Sequence, residues 1–532
     1  MFYNNESRFC RAARSEQLRC ELRQVLIIIV LTFTFFLVYI PHLDYPFPRH
    51  VDEWHHITEA IKLEKGEYSG GATGYRIGFH ILLLLLSKIT NLVLIYQFLP
   101  AIWAVISALV LFYVVYKKTN KQFSIALLAM IFFASIKSNV NITGLWFFTP
   151  LTFSIPFIFL YVYFFTEGIE KHNRKFILLS LAIMILLLFI HSISVLFAIP
   201  FLLIYSLFNF RYLKKEWKFF LIFLIIPIIG ILFYKFIWEV PFEFLIRDLI
   251  KALQFKRGWG VLELDNSFFE LYSLMGYILA VVGLVLISRL YIYTIANQGS
   301  RAKREVLIFR HRENVKKYLA YGLWPITVLT SIMIYKKTGI SYLSPYQRNL
   351  YYFALSLPIL SAFGLDYLLK IVKKSIIRTS LTEVEKEFLK RIFFVLIFIV
   401  VIFFTFKSYL KVPSQVALYQ VIDNGEYQAL LFLSNIPEKS VVMALPRISE
   451  ALYPISGHKP VATYIFYGKR ADAERFFLSE DCETRQQILD RYKVKYVLSK
   501  LKIDCGWKLI YPPLFPKKRG VYEKENYIYE IN

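Results

Sequence analysis

The densest cluster of acids and histidines in the sequence lies between His50 and Gly66, which reads His-Val-Asp-Glu-Trp-His-His-Ile-Thr-Glu-Ala-Ile-Lys-Leu-Glu-Lys-Gly. Wound as a helix, Asp52, His55, His56 and Glu59 recur at i, i+3, i+4 and i+7 and share one face. Asp52 is the residue type of an N-cap and Gly66 that of a helix stop. Acids and histidines on one stripe can take a proton from a hydroxyl, hold a polar substrate, or begin a metal site with Asp52 and His56 as ligands. The metal would be a divalent ion such as Mg or Mn, although one helix alone supplies too few ligands. The bland alternative is a solvated amphipathic helix on a membrane surface, with Ile57, Ala60 and Ile61 turned into the lipid and Leu63 at the edge. Paired acids beside paired histidines exceed what solubility requires, which favours chemistry.

The rest of the chain must hold this stripe in place, and most of it is hydrocarbon. Of 532 residues, 57% are hydrophobic, with a mean hydropathy of +0.49. Long uninterrupted apolar runs make it an α-helical polytopic membrane protein. The formal charge of +25 would suggest nucleic acid in a soluble chain. Here it follows from topology, because basic residues gather in cytoplasmic loops and beside anionic headgroups, so no nucleic-acid partner is expected.

Arg8, Arg11, Arg14, Arg19 and Arg23 precede the first apolar run, Val25 to Ile40, and place the N-terminus in the cytoplasm. That run has no small-residue cleavage site and reads as a retained span. The acid–histidine stretch that follows is then extracytoplasmic. Ile77 to Ile89 is at the lower limit for spanning and reads as a re-entrant or interfacial helix. Full spans follow at Leu92 to Tyr116, Phe123 to Ile136, Leu151 to Phe165, Phe176 to Ile190, Ser192 to Phe210 and Phe219 to Ile237. After a long outer loop come Tyr272 to Ala296, Leu319 to Tyr335, Tyr351 to Leu369 and Ile392 to Phe406. The total is about eleven spans, and with this count lysine and arginine concentrate in the inner loops. Counting Ile77 to Ile89 as a span reverses the bias.

Three parts result: a basic cytoplasmic tail over 1–24, a transmembrane region over 25–406 whose first outer loop is 41–76, and an extracytoplasmic domain over 407–532. In the last part apolar runs shorten to strand length, as in Val441 to Leu445 and Lys495 to Leu498. Helical patterns at Tyr427 to Leu433 and Thr484 to Tyr492 lie between them, so the domain reads as small and α/β. Four cysteines are too few for a disulfide scaffold. Cys482 and Cys505 are both in this outer domain and can pair, with two unpaired buried thiols as the alternative.

A charge at mid-bilayer costs about 2.5–3.5 kcal/mol, and the spans carry few. That scarcity weighs against an ion-coupled transporter. Polar groups gather instead at outer span ends: Asp44, Arg76 and His80; His191 at a tight hairpin; Arg247, Lys251, Lys256, Arg257 and Asp265 in the long loop; Lys336, Lys337, Tyr346, Gln347 and Arg348 before a late span. Arg348 is either a snorkelling interfacial arginine or a guanidinium that grips a phosphate in two-pronged geometry. Acids on one rim and cations on another suit a lipid-linked phosphosugar. Cations neutralise the leaving phosphate, and a carboxylate takes the proton of the attacking hydroxyl.

This pattern resembles the GT-C superfamily of integral membrane glycosyltransferases, in particular the group that uses polyprenyl-phosphate sugars, dolichyl-phosphate-mannose and aminoarabinose transferases among them. The matching features begin with one span and an acidic outer motif, Asp52-Glu53-Trp54-His55-His56. Gly74-Tyr75-Arg76-Ile77-Gly78-Phe79-His80 follows, leading into a juxtamembrane helix. Then come the basic pair Lys117-Lys118, the late Ala362-Phe363-Gly364-Leu365 and the tail motif Tyr492-Lys493-Val494-Lys495-Tyr496-Val497-Leu498. The resemblance implies that an acid of the first outer loop is a catalytic base or metal ligand. The matching positions are Asp52 and Glu53, with Asp44 a third candidate. The tryptophan-tryptophan-aspartate motif of oligosaccharyltransferase catalytic subunits is absent from the tail, so en bloc oligosaccharide transfer to asparagine is not expected.

The expected activity is transfer, with inversion, of a hexosyl or pentosyl unit from a polyprenyl-phosphate donor to a glycan, lipid or protein acceptor at the extracytoplasmic face. His55, His56, Glu59, Arg76, His80, His191, Arg257, Tyr346 and Arg348 are the candidate substrate contacts. The alternatives are a lipid-linked glycan flippase or transporter, which requires a polar route through the spans, and a non-enzymatic membrane scaffold.

Overall fold

The computed structural model describes residues 14–68, 76–138, 144–218, 253–256, 270–296, 315–377, 382–407, 420–464, 468–512 and 526–531, with a few positions between 221 and 229. In chain order the helices begin with α1 (Arg14–Tyr39), α2 (Val51–Glu64), α3 (Ile77–Ser87), α4 (Leu92–Ile95), α5 (Leu99–Lys118) and α6 (Phe123–Ala134). They continue with α7 (Pro150–Glu170), α8 (Arg174–His191), α9 (Ile193–Leu196), α10 (Ile199–Phe208), α11 (Phe210–Lys215), α12 (Leu274–Ala296), α13 (Val315–Thr338), α14 (Tyr346–Ile377) and α15 (Glu383–Phe406). The tail adds α16 (Asn424–Ser434), α17 (Pro446–Ser456), α18 (Arg470–Leu478) and α19 (Cys482–Tyr492). Strands β1 (Gln254–Lys256) and β2 (Ile340–Tyr342) come before the tail strands β3 (Val441–Met443), β4 (Lys459–Pro460), β5 (Val494–Ser499), β6 (Lys508–Tyr511) and β7 (Tyr527–Glu530).

The chain divides into two compact units. One comprises Met1–Ile40, Pro100–Trp146 and Pro150–Val412; the other comprises Pro41–Leu99, Phe147–Thr149 and Pro413–Asn532.

In the first unit, described helices long and apolar enough to cross a membrane include α1, α5, α7, α8, α13, α14 and α15. The protein is a multi-pass membrane protein. Two of the expected spans are broken, each at a proline. Leu92 to Tyr116 is interrupted between Ile95 and Leu99, because Pro100 has no amide proton to return to Tyr96. Ser192 to Phe210 is interrupted between Leu196 and Ile199, where Pro200 would owe its bond to Leu196. Helix α6 has 12 residues, roughly 18 Å, and is shorter than a full span. Helix α3 has 11 and is shorter still, consistent with a helix that does not cross. The run Phe219 to Ile237 falls almost wholly outside the described residues.

Helices α12 and α14 cross at a pair of glycines. A Cβ on Gly364 would stand 2.0 Å from the Leu279 carbonyl oxygen, and one on Gly283 would stand 2.0 Å from that of Leu360. Without side chains at the crossing, the two backbones meet directly, the usual means of close association where lipid offers no hydrophobic drive. Elsewhere Lys118 is buried and donates to Thr166 Oγ1 and Glu167 Oε1 at 3.2 Å and to Glu170 at 2.8 Å. Tyr205 also donates to Glu170, at 2.6 Å. The network joins α5, α7 and α10 and keeps the lysine's charge matched within the protein. Strands β1 and β2 pair antiparallel, Gln254 opposite Tyr342 and Lys256 opposite Ile340. This ties residues from the end of the long loop to the turn that opens α14.

In the second unit the tail forms a five-stranded sheet in the order β4-β3-β5-β7-β6. Strand β3 is parallel to both β4 and β5, while β7 is antiparallel to β5 and β6. Met443, Phe476, Leu489, Val497 and Tyr529 lie in its core, so helices cover the sheet as the alternation of elements in the sequence requires. Cys482 and Cys505 are bonded, their Cα atoms 5.5 Å apart, which ties the start of α19 to the loop after β5. The loop that follows Ile40 packs into this same unit. Tyr45 OH accepts the Ile422 amide at 3.2 Å, and the Phe47 ring lies 4.8 Å from that of Tyr427. Tyr453 donates to Glu67 at 3.2 Å, with the Lys65 ammonium 4.8 Å above the Tyr453 ring.

Candidate functional site

Helix α2 carries the acid–histidine stripe, and its first turn decides which acid is available. The N-cap is His50, not Asp52. His50 Nδ1 accepts the Asp52 amide at 3.0 Å, an imidazole in the place more often taken by a hydroxyl or carboxylate. Glu53, at the third helical position, closes the box by accepting the His50 amide at 2.9 Å. The same carboxyl accepts the Arg49 amide at 2.8 Å and the Phe148 amide at 2.7 Å. Glu53 is fully buried, and burial pushes its pKa up to about 8 against the pull of those three amides and of the Arg49 charge. Both of its oxygens accept backbone amides, which fixes the start of the helix. Trp54, also fully buried, fixes the approach to the helix by donating to the Pro48 carbonyl at 2.9 Å.

Asp52, one position earlier, keeps 27% of its side chain exposed, with Oδ2 3.7 Å from His50 Nδ1. It stands in the first turn of α2, at the positive end of the helix dipole. Asp44 is exposed and lies in the field of the buried Arg49 guanidinium, which stacks 4.9 Å over Tyr45.

The remaining stripe residues turn inward. His55 is buried, and burial holds its pKa down to about 4, with the Asp52 charge opposing and the Arg76 charge reinforcing the shift. His56 Nδ1 lies 3.0 Å from His80 Nε2, so the expected histidine of α2 meets the expected histidine of α3. His80 Nδ1 in turn lies 3.1 Å from Tyr68 OH. Burial pushes His80 down to about 3, and His55 and Arg76 add to the effect. Glu59 is buried and accepts from Lys62 at 2.9 Å. Phe79 packs edge-on to His56 at 5.3 Å and against Phe148 at 5.4 Å. The second unit thus gathers Asp52, His55, His56, Arg76 and His80, while Gly74 and Tyr75 lie outside the described residues.

Two contributors escaped the sequence reading. Phe148 supplies an amide from a distant segment that no local pattern marks. Tyr68 follows the end of α2, and its only signal is a lone tyrosine between that helix and the glycine-rich stretch.

The Nδ1 of His56 faces His80 rather than Asp52. Among the described residues no group of three or more His, Cys, Asp or Glu side chains is gathered as a metal site. Asp52 and His56 alone are too few ligands to define a divalent site, so no step is drawn through one.

The cationic candidates belong to the first unit. Arg348 is partly buried in the first turn of α14. Tyr346 stacks on Tyr335 at 4.3 Å. Asn349 donates to Ser341 and Ser331 at 2.9 and 3.0 Å and so fixes the turn between β2 and α14. The β1–β2 pairing brings Lys256 opposite Ile340. Arg257, the next residue, is outside the described residues, as are Arg247, Lys251 and Asp265. His191 is buried in a polar knot, 2.8 Å from Ser194 and 3.4 Å from Tyr352 OH. Ser154 reaches the same Ser194 hydroxyl at 2.8 Å, so His191 is part of a helix-to-helix contact.

No family model matches the chain, and no curated protein matches it in sequence. Solved structures match it in fold. The archaeal oligosaccharyltransferase AglB from Archaeoglobus fulgidus, in complex with an inhibitory peptide and a dolichol-phosphate, superposes with a TM-score of 0.55 and 13% identity, over 90% of this chain and 69% of its own. The Archaeoglobus fulgidus oligosaccharyltransferase in complex with Zn and sulfate gives 0.54 and 14%, over 89% and 67%. ArnT from Cupriavidus metallidurans in the apo state gives 0.49 and 13%, over 95% and 97%. The chain shares the fold of these oligosaccharyltransferase structures.

Proposed function

We propose that this chain is an inverting glycosyltransferase that moves one sugar from a polyprenyl-phosphate donor to an acceptor on the extracytoplasmic face. The observation that carries the reading is the division of labour between two neighbouring acids. Glu53 is buried and bonded to three amides, which sets the helix; Asp52 keeps its carboxylate partly in water at the helix start. A fixed helix with one accessible carboxylate suits a general base.

In this reading Asp52 takes the proton of the acceptor hydroxyl as its oxygen attacks the anomeric carbon from the face opposite the phosphate. The bond from that carbon to the phosphate oxygen breaks with its electron pair, and the polyprenyl phosphate leaves. Attack from the far side inverts the anomeric centre. Arg348, aided by Arg257, neutralises the leaving phosphate. The neighbours' acceptor peptides and dolichol-phosphate make a lipid-linked donor the natural first trial.

The test is Asp52→Asn in membranes supplied with a labelled polyprenyl-phosphate sugar. Loss of a general base should lower the rate at least 100-fold with the donor still bound. Undiminished transfer removes Asp52 from this role. Movement of the lipid across proteoliposomes without any covalent change replaces the reading with that of a flippase.

A further inference from the structure

Arg49, the residue before the α2 N-cap, is 5% exposed, and its guanidinium pairs with no carboxylate among the described residues. Its Nε has no hydrogen-bond partner. The acids around it are committed elsewhere. Both Glu53 oxygens accept backbone amides, the Arg49 amide among them. Asp44 is exposed, and its charge reaches Arg49 only through space. Burial pushes the Tyr45 pKa up and keeps it a neutral phenol. The ring 4.9 Å from the guanidinium therefore offers its π face and no counter-ion. Arg447, in the same unit, shows the contrast: it donates to the Gln420 carbonyl and, at 3.0 Å, to Glu426. A buried arginine normally has such partners, because desolvating an unpaired charge is among the largest penalties a fold carries. Arg49 is also held still. Its amide is pinned to Glu53, the Pro48 carbonyl accepts from Trp54, and Tyr45 OH accepts the Ile422 amide. Fixed donors that lack a partner within the fold are what an oxyanion site requires.

We propose that Arg49 anchors an acid group of the acceptor, so that the sugar goes to a hydroxyl on a carboxylate- or phosphate-bearing molecule. The inference rests on the reading of Asp52 as the base and adds which acceptor that base serves. Arg49 and Asp52 are three residues apart, so their Cα atoms lie within about 11 Å of each other. Two side chains and one sugar ring bridge such a gap. The acceptor's acid would meet the terminal nitrogens of the guanidinium, which can donate two parallel bonds to one oxyanion. Its hydroxyl would then lie toward the helix start, where the Asp52 carboxylate keeps part of its surface in water. A neutral acceptor leaves the arginine unpaired and gains none of this. Arg49 is therefore a specificity residue, distinct from the Arg348 assigned to the donor.

The first experiment needs no transfer activity. Full-length protein in phosphatidylcholine nanodiscs is melted with saturating glucuronate, glucose 6-phosphate or glucose. At least one of the two acids should raise the melting temperature by several degrees, and glucose should not. A shift with glucuronate alone identifies a carboxylate acceptor, and one with glucose 6-phosphate alone a phosphorylated acceptor. Arg49→Met should abolish the shift and Arg348→Ala should keep it, which separates this site from the donor's. Without any anion, Arg49→Met should melt no lower than the native protein, because it removes an unpaired buried charge. No shift with either acid, or a shift that survives Arg49→Met, overturns the proposal. Should Arg49→Met fail to fold, 15N-arginine spectra of the native protein decide, with the Arg49 Nε–H signal assigned by Arg49→Lys. That signal should move with the acids and stay with glucose; a signal that ignores both acids overturns the proposal. In transfer assays Arg49→Lys should raise the KM of an acidic acceptor about tenfold and leave the donor KM unchanged. A rise in donor KM instead places Arg49 at the donor phosphate and ends the proposal. If the native protein transfers no sugar, the reading of Asp52 fails, and the melts still show whether Arg49 holds an oxyanion.

Discussion

Glu53 Oε1 accepts the Phe148 amide at 2.7 Å across 95 residues of chain, and this bond joins a three-residue return segment to the turn that begins α2. Replacing Glu53 with alanine leaves three buried amides without their acceptor, each costing about 1–3 kcal/mol. The expected outcome is a large fall in melting temperature and a loss of transfer caused by the loss of α2. Glu53→Gln keeps one oxygen acceptor and should fall between the two.

The same residue gives a pH dependence with a definite sign. Its folded pKa, about 8, lies above the ordinary 4.5, so the folded protein binds this proton more tightly than the unfolded one. Its contribution is fully present below about 4.5 and is lost as the pH rises through about 8. Thermal melts between pH 5 and 9 should decline by an amount on the order of a few kcal/mol. Glu53→Gln should flatten the decline; an unchanged slope in that variant would show that other groups set it.

The α12–α14 crossing predicts a sharp positional contrast between two glycines. Gly364→Ala places a Cβ against the Leu279 carbonyl and should cost about 1–3 kcal/mol by forcing the helices apart. Gly322→Ala meets only Ile287 and Leu284 side chains at 3.5 and 3.6 Å and should be tolerated. Melting temperature in detergent distinguishes the two.

The bond between Cys482 and Cys505 closes a separation of 23 residues, for which the chain-entropy argument gives about 3 kcal/mol. Cys482→Ser should lower the melting temperature of the tail and leave the helical signal of the spans unchanged. Alkylation before and after reduction, followed by gel shift, checks that the bond is present in the purified protein.

If Arg348 holds the donor phosphate, Arg348→Ala should raise the donor KM tenfold or more. Arg348→Lys should recover little, because an ammonium lacks the planar two-pronged fit. Steady-state kinetics over donor concentration, with acceptor saturating, measures both. Equal KM values in all three proteins would return Arg348 to the snorkelling role.

How much of this could be read beforehand depends on the range of the interaction. The stripe of Asp52, His55, His56 and Glu59 was legible because helical periodicity is local. So were the tail strands near Val441 and Lys495, and the pairing of Cys482 with Cys505 stood among the open alternatives. The broken spans carried their own warning in Pro100 and Pro200, which hydropathy alone outweighs. The bond of Glu53 to the Phe148 amide was not legible, because the arrival of that amide beside it is a property of the fold. The N-cap was misplaced because histidine seldom caps, and only the bond from the Asp52 amide to His50 reveals it.

Tyr45 and Ile422 meet across 377 residues, and the unit they share is assembled from three stretches of chain. A ribosome therefore delivers the acid–histidine helix long before it delivers α17, the tail helix against which it packs. Until that tail helix emerges, the acid–histidine helix has no completed platform, and assembly of the site must wait for it. A truncation ahead of Pro446 would thus disarm the residues of Val51–Glu64.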